Sequence, residues 1–462
     1  MSRSLYLDLA AGRRPSAFRL ADLLGALSYA LDMTEGQPAG HCIRCCFIGT
    51  RIGEELGLPD EALRDLYYTL LLKDLGCSSN AARICELYLA DDISFKRDFK
   101  TIDGSLSSAL RFVFARTGLE SGLSERIRAI VNILQNGGEI SRSLIETRCH
   151  RGADIAARMR FSDAVQQGIL SLDEHWDGSG KPEGLKAAEI PLISGIALLA
   201  QVIDIFHTET GAAAALREVA ARSGSWFDPA LVAAVTDAQA DPEFWATLAS
   251  PDLEAQVFAM KPARLSEPVD EDYLDDIAAA FSDVVDAKSP FTADHSNRVT
   301  LYTDMIAEEM GLSEAHRRWL RRAALLHDLG KLGVSNQVLD KPGKPDADEW
   351  ASIRRHPLHS EAILRRAEAF ADIAPVAAAH HERLDGKGYP HGLQGDEICL
   401  EARILTVADV FDALSAERPY RAAMPIARAL AILDADAGTA FDPACIAALK
   451  SGLARLNAEV AA

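Results

Sequence analysis

The apolar positions of this chain fall at helical rather than strand spacing. In Tyr273-Leu274-Asp275-Asp276-Ile277-Ala278-Ala279-Ala280-Phe281 the apolar residues return at helical intervals and share one face. In Arg321-Arg322-Ala323-Ala324-Leu325-Leu326-His327-Asp328 an apolar run reads as a buried helix, with Gly330 as its C-cap. No segment shows the alternation that a half-buried strand requires. The run Asp385-Gly386-Lys387-Gly388-Tyr389-Pro390-His391-Gly392 is a loop by composition. Prolines and charges between Pro251 and Pro268 read as a linker. The pattern predicts an all-α fold of two tandem helical domains, 1–255 and 269–462, joined through 256–268.

Composition sharpens this picture. The 462 residues are 48% apolar and only 6% aromatic, with alanine and leucine prominent, which favours helices and allows a sizeable core in each domain. A net charge of −20 argues against DNA or RNA as a general partner, because such proteins present a basic face. A small anion can still bind where metals and a few arginines set the local field. The start, Met-Ser-Arg-Ser-Leu-Tyr-Leu-Asp-Leu-Ala, has no unbroken apolar segment, and no run approaches a membrane span, so a cytoplasmic chain is expected. The eight cysteines are then expected to be reduced. Cys42-Ile43-Arg44-Cys45 has no second CxxC to pair with and reads as part of a packed helix.

The chemistry concentrates in the second half. His295, His327, Asp328, His356, His380, His381 and Asp409 follow one another in order. Imidazole and carboxylate ligands suit iron, manganese, zinc and nickel. Adjacent histidines and an adjacent His-Asp exceed what one ion needs, which points to a multinuclear site acting on a phosphate. Asp328 has two oxygens with which to bridge two ions. Lys331 lies one turn beyond it and faces the same place.

These residues sit in a set of motifs. They are His-Ser-Asn-Arg-Val (295–299), His-Asp-Leu-Gly-Lys (327–331), Arg-His-Pro (355–357) and the run from His380 to Pro390. Ala-Asp-Val-Phe-Asp-Ala-Leu (408–414), Arg-Pro-Tyr-Arg (418–421) and Phe-Asp-Pro (441–443) complete it. From about Tyr273 to Pro443 the chain resembles an HD-GYP domain, a branch of the HD phosphohydrolases. The resemblance implies a helical fold and a cyclic-dinucleotide phosphodiesterase, chiefly for cyclic di-GMP, giving the linear dinucleotide or GMP. It implies His295, His327, Asp328, His356, His380, His381 and Asp409 as metal ligands, with a bridging water attacking phosphorus. It assigns Lys331 to neutralising the phosphate, and Tyr389, Arg418 and Arg421 to the substrate. Members with a third metal tend to carry a Glu where this chain has Phe291, so two ions, iron or manganese, are expected. Glu382 and Asp385 are expected to accept the other N–H of ligating histidines. Arg298 is expected to be a structural partner on the first helix.

The first half repeats the second. His41-Cys42-Ile43-Arg44 matches 295–298 and Lys73-Asp74-Leu75-Gly76 matches 327–330, both at an offset of 254. Glu174 through Pro182 matches Glu382 through Pro390 at 208, so this copy carries 46 more residues between about Cys77 and Arg148. In it His327 is replaced by Lys73, Lys331 by Cys77, His356 by Arg148, the two adjacent histidines by Leu172 and Asp173, and Asp409 by Gln201. Only His41 and Asp74 remain, so this copy reads as a degenerate HD domain for interaction, regulation or sensing, with a homodimer or a signalling protein as its partner. Two alternatives stay open for the whole: an HD phosphohydrolase acting on another nucleotide, and a cyclic di-GMP-binding scaffold with little turnover.

Overall fold

The structure is a computed structural model that describes residues 4–6, 18–102, 105–264, 268–292, 294–417 and 423–460. Helices dominate, as the spacing predicted, and the chain forms two compact units.

The first unit is Phe18–Val269 together with Ser335–Gln337. Its principal helices are α1 (Leu20–Thr34), α2 (His41–Glu55), α3 (Asp60–Leu72), α4 (Asp92–Phe99), α5 (Leu123–Arg158) and α6 (Leu192–Thr210). Helix α2 packs against α1, α3 and α6, and its buried face is supplied by Cys42, Cys45, Cys46, Ile48 and Ile52. Helix α6 is long and apolar enough to cross a membrane, but most of it is buried in this unit's core. The extra residues of this copy form a helix at Ala81–Tyr88, α4, a helix at Leu106–Arg116 and the first part of α5.

The stretch expected as a linker is instead folded. Leu253–Phe258 and Lys261–Arg264 are helices with Leu253, Val257 and Ala263 buried. Spaced four apart, Leu253 and Val257 share a helical face. The ring of Phe258 lies so close to Gly25 that a Cβ there would overlap it. Strand β1 (Phe18–Arg19) pairs antiparallel with β2 (Pro268–Val269), which ties the end of this stretch to the start of α1.

The second unit holds Asp270–Val334, Val338–Ala462 and the described residues 4–6, so the chain's start does not group with the first unit. Its helices are α7 (Glu271–Asp286), α8 (His295–Glu309), α9 (Glu314–Leu326), α10 (Ala347–Ile353), α11 (His356–Arg366), α12 (Leu400–Ser415) and α13 (Pro443–Val460). Helix α7 buries Leu274, Ile277 and Phe281, the face that the spacing predicted. Side-chain caps start three helices: Asp270 on α7, Ser313 on α9 and Asp346 on α10. Helix α8 is central, packed on α9, α12 and α13, and its first residue is His295.

Residues 4–6 are held by one buried carboxylate. Glu401 accepts from Ser4 Oγ at 2.6 Å, Leu5 N at 3.0 Å and Tyr6 N at 3.1 Å. His316 Nε2 lies 2.9 Å from the same carboxylate, and the Tyr6 ring stacks on the His316 imidazole at 4.2 Å.

Candidate metal centre

Four elements deliver the ligand-type residues to one place. His295 opens α8, His327 and Asp328 follow the end of α9, His356 opens α11, and Asp409 lies on α12. His380 and His381 precede the loop that contains Tyr389. Gly330 makes the arrangement possible, but not as a C-cap, since its φ is not positive. A Cβ on Gly330 would strike the carbonyl oxygen of His356, so glycine lets the His327-Asp328 segment lie directly on α11. Ser360 fixes this contact by donating to His327 O at 2.7 Å and accepting from Gly330 N at 2.8 Å.

The seven side chains divide into two groups that meet at Asp328. Its Oδ2 lies 3.3 Å from His295 Nε2 and 3.2 Å from His327 Nε2. Its Oδ1 lies 3.2 Å from His356 Nε2 and 3.8 Å from His380 Nε2. Asp409 Oδ1 joins the first group, 3.4 Å from His295 Nε2, while Oδ2 lies 3.9 Å from His381 Nδ1. His295, His327 and Asp409 thus form one potential ligand set, and His356, His380 and His381 another.

The histidines are also oriented for coordination. Nδ1 of His327, His356 and His380 faces the carbonyl oxygens of Ala324, Ile353 and Ala377 at 2.7, 2.8 and 2.5 Å. A carbonyl only accepts, so Nδ1 carries the proton and Nε2 presents its lone pair inward. For His295 the acceptor is Asp412, at 2.7 Å, which Arg298 holds from the other side at 2.6 Å. Arg298 is therefore the structural partner expected of it. Asp412 was not singled out from the sequence, although it lies one helical turn beyond Asp409 in the same motif.

Glu382 and Asp385 do not take the expected role. Glu382 accepts from the backbone N–H groups of His391, Gly392 and Leu393, and Asp385 pairs with Arg383. Both order the Tyr389 loop instead. Tyr389 itself packs its ring 4.7 Å from that of His381, beneath the Arg354 guanidinium. Lys331 Nζ reaches Asp328 Oδ2 at 2.5 Å. Arg418 and Arg421 lie outside the described residues, and Phe291 brings no ligand atom.

Electrostatics fits the donor set. Burial, and then neighbouring imidazoles, disfavours protonation of His380, and the pKa of His381 is pushed down to about 3 by burial and His356. Burial would raise Asp328 and Asp409, but the surrounding histidines, with Lys331 beside Asp328, hold both well below the usual carboxylate range. His295 goes the other way: burial opposes its charge, yet Asp328, Asp409 and Asp412 raise it to about 10. His295 Nε2, His327 Nε2 and Asp328 Oδ1 are buried without a hydrogen bond, which is costly unless a cation satisfies them. The residues present therefore fit a pair of metal ions.

The first unit repeats the frame with two of the seven ligand-type residues, His41 and Asp74. His41 Nδ1 meets Asp204 at 2.6 Å and Arg44 meets the same Asp204 at 2.6 Å, as His295, Arg298 and Asp412 do. Gly76 is pressed against the Arg148 carbonyl as Gly330 is against that of His356, which confirms the pairing of Arg148 with His356. Lys73 is fully buried, its Nζ 3.0 Å from His41 Nε2 and paired with Asp74. Arg148 pairs with Asp173, and Lys100 pairs with Glu35 at 2.6 Å. Cationic side chains of the protein itself lie here beside the matching acidic residues.

The profile of the HD domain family matches residues 128–231 and 279–445, which reaches both copies and more than half of the chain. The chain is 56% identical over 438 residues to the 3'3'-cGAMP-specific phosphodiesterase 3 of Vibrio cholerae serotype O1, covering 95% of each. The chain belongs to the HD domain family, in its HD-GYP branch. A crystal structure of the cyclic GMP-AMP-specific phosphodiesterase V-cGAP3 of V. cholerae matches with a TM-score of 0.66 at 50% identity, over 95% of this chain and 98% of that one. The cyclic di-GMP phosphodiesterase response regulator RpfG of Xanthomonas campestris pv. campestris is 46% identical over 162 residues, 35% of this chain and 43% of that protein. Within the HD-GYP branch, then, the likeness to the first relative runs through both units, whereas RpfG is matched over about a third of the chain.

Proposed function

We propose that this protein is a metal-dependent phosphodiesterase that hydrolyses a cyclic dinucleotide, with 3'3'-cGAMP as the preferred substrate and cyclic di-GMP as the second. The cGAMP preference is carried by the relative that is 56% identical across both units. Cyclic di-GMP was the expectation from the motifs, and the RpfG likeness keeps it in the test. In this reading His295, His327, Asp328 and Asp409 would hold one ion, and Asp328, His356, His380 and His381 would hold the second. Such a pair, when bound, supplies Lewis acidity and lowers the pKa of a bound water toward neutrality. Asp328 keeps the two halves of the site in register through its two oxygens. Lys331, fixed against Asp328, places a positive charge where the scissile phosphate must lie, and Tyr389 closes one wall beside His381. Water's oxygen bonds to phosphorus, the ester bond breaks, and the water's proton ends on the leaving 3' oxygen. The sequence places Arg418 and Arg421 after Asp409, and we retain them as phosphate contacts. Iron or manganese suits the donor set. All eight cysteines are unbridged, which suits a reducing cytoplasm. The first unit is assigned to regulation or interaction, with a second copy or a signalling protein as partner.

Steady-state hydrolysis of 3'3'-cGAMP and cyclic di-GMP by the full chain tests this. The expected result is a higher kcat/KM for 3'3'-cGAMP, and loss of both activities in His327→Ala/Asp328→Ala with the helical content kept. Equal or greater kcat/KM for cyclic di-GMP would overturn the substrate preference. Turnover of neither would overturn the reading.

A further inference from the structure

The repeat is an internal control that separates what the fold needs from what the chemistry needs. Both copies keep the His–Asp–Arg brace (His295, Asp412 and Arg298; His41, Asp204 and Arg44). Both keep a glutamate capping the following loop, Glu382 in one and Glu174 in the other. Both keep the glycine pressed on the facing helix, Gly330 and Gly76. These features hold the frame in both copies, and in the second unit the brace also aims His295 at the candidate metal centre. The first copy keeps His41 and Asp74 but has lost the other five of the seven ligand-type residues, together with Lys331 and Tyr389. In the register that pairs Gly152 with Ser360 it has lost two more: Trp350 becomes Arg142 and Arg354 becomes Glu146.

Trp350 and Arg354 lie at the mouth of the metal centre. Helix α10 presents Trp350 with 45% of its surface exposed, unusual for an indole with no buried role. One turn later, Arg354 lies with its guanidinium carbon 4.9 Å from the Tyr389 ring centroid. The Trp350 and Tyr389 rings meet edge to face at 6.2 Å. Arg354 is exposed and has no carboxylate within ion-pair distance among the described residues. The shelf is tied to the ligands at two points. Ile353, next to Arg354, holds His356 Nδ1 at 2.8 Å, and Tyr389 packs on His381. A flat exposed indole beside an unpaired guanidinium suits a purine that stacks and an anion that pairs.

Resting on the reading above, we infer that Trp350 and Arg354 form the subsite for one purine base and the non-scissile phosphate of the cyclic dinucleotide. Trp350 stacks on the base, and Arg354 makes the charged contact to the phosphate. Lys331 serves the phosphate at the metals and Arg354 the other, beside the phosphate contacts retained for Arg418 and Arg421.

The test uses the full metal-loaded chain with Trp350→Ala, Trp350→Phe, Arg354→Ala and Arg354→Lys. KM and kcat for 3'3'-cGAMP, the Kd of a phosphorothioate cyclic dinucleotide, and metal content are measured. Arg354→Ala is expected to raise KM and Kd about 10- to 100-fold, with the metal content of the wild type. Arg354→Lys should recover part of this, and Trp350→Phe should recover more than Trp350→Ala. The loss in kcat/KM should be greater for 3'3'-cGAMP than for bis(p-nitrophenyl) phosphate, which has no purine. A wild-type KM in both Ala variants, an equal loss on both substrates, or loss of metal as the cause of the defect would overturn the subsite. No turnover or binding of any cyclic dinucleotide by the wild-type chain would instead overturn the reading on which it rests.

Discussion

At the scale of single residues, the metal centre depends on groups that touch no substrate. Asp412 receives Nδ1–H from His295 and is held by Arg298, so it sets both the tautomer and the aim of His295 Nε2. Removing it frees the ring and takes this carboxylate from Arg298. Asp412→Ala is expected to weaken metal binding about 10- to 100-fold, with activity restored by excess metal. Metal titration of the apoprotein reads this directly, and wild-type affinity would show that the brace has no part in coordination. The candidate ligand set was legible in the sequence because seven donor residues fell in order inside recognisable motifs. Asp412 was less legible, because its bond to His295 spans 117 positions and exists only once α8 and α12 cross. The expectation for Glu382 and Asp385 failed for a related reason. Nearness in sequence to His381 suggested nearness to its ring, but the chain turns back and the carboxylates meet backbone N–H groups and Arg383 instead.

At the scale of elements, helix positions were readable from apolar spacing, and close approaches were not. The Gly330 at the end of α9 looked like a helix stop, whereas its work is to admit the His356 carbonyl. The stretch 256–268 looked like a linker because proline and charge were weighed more heavily than Leu253 and Val257 on one face. The capture of residues 4–6 had no local signal at all, since Glu401 lies almost four hundred positions away. That capture has a pH dependence. Burial opposes ionisation of Glu401, but His316, Ser4 and the Leu5 N–H outweigh it and hold its pKa at about 2. A carboxylate with a depressed pKa adds stability above its unfolded value, near 4.3, and loses it as pH falls toward 2. The amides of Leu5 and Tyr6 are therefore expected to be protected from hydrogen exchange at neutral pH and to lose protection between about pH 4 and pH 2. Glu401→Gln should lose it already at neutral pH, because an amide offers one acceptor where several donors converge. Unchanged protection in that variant would mean that the Tyr6–His316 stacking alone holds the segment.

At the scale of the whole chain, two copies of one frame have been given different cations. The second unit offers buried donors that a removable ion would satisfy. In the first unit Lys73 sits against His41 and Asp74, and burial that would strip its charge is outweighed by Asp74. Lys73 therefore does in that core what an ion would do in the other, permanently and without exchange. Full-length protein is then expected to hold about two transition-metal ions per chain, both lost in His327→Ala/Asp328→Ala and neither lost in His41→Ala. Lys73→Met leaves Asp74 charged and unpaired in a closed core, so it should destabilise the first unit by about 3–5 kcal/mol in urea unfolding while metal content stays at two. Lys73→His combined with Gln201→Asp returns the donor types of the first metal set to a frame whose brace, His41 with Asp204 and Arg44, is already in place. That double variant is expected to take up one further ion per chain, read by metal analysis of the intact protein. If it folds and binds none, the retained brace is not enough, and the register of Gln201 with Asp409 has to be redrawn.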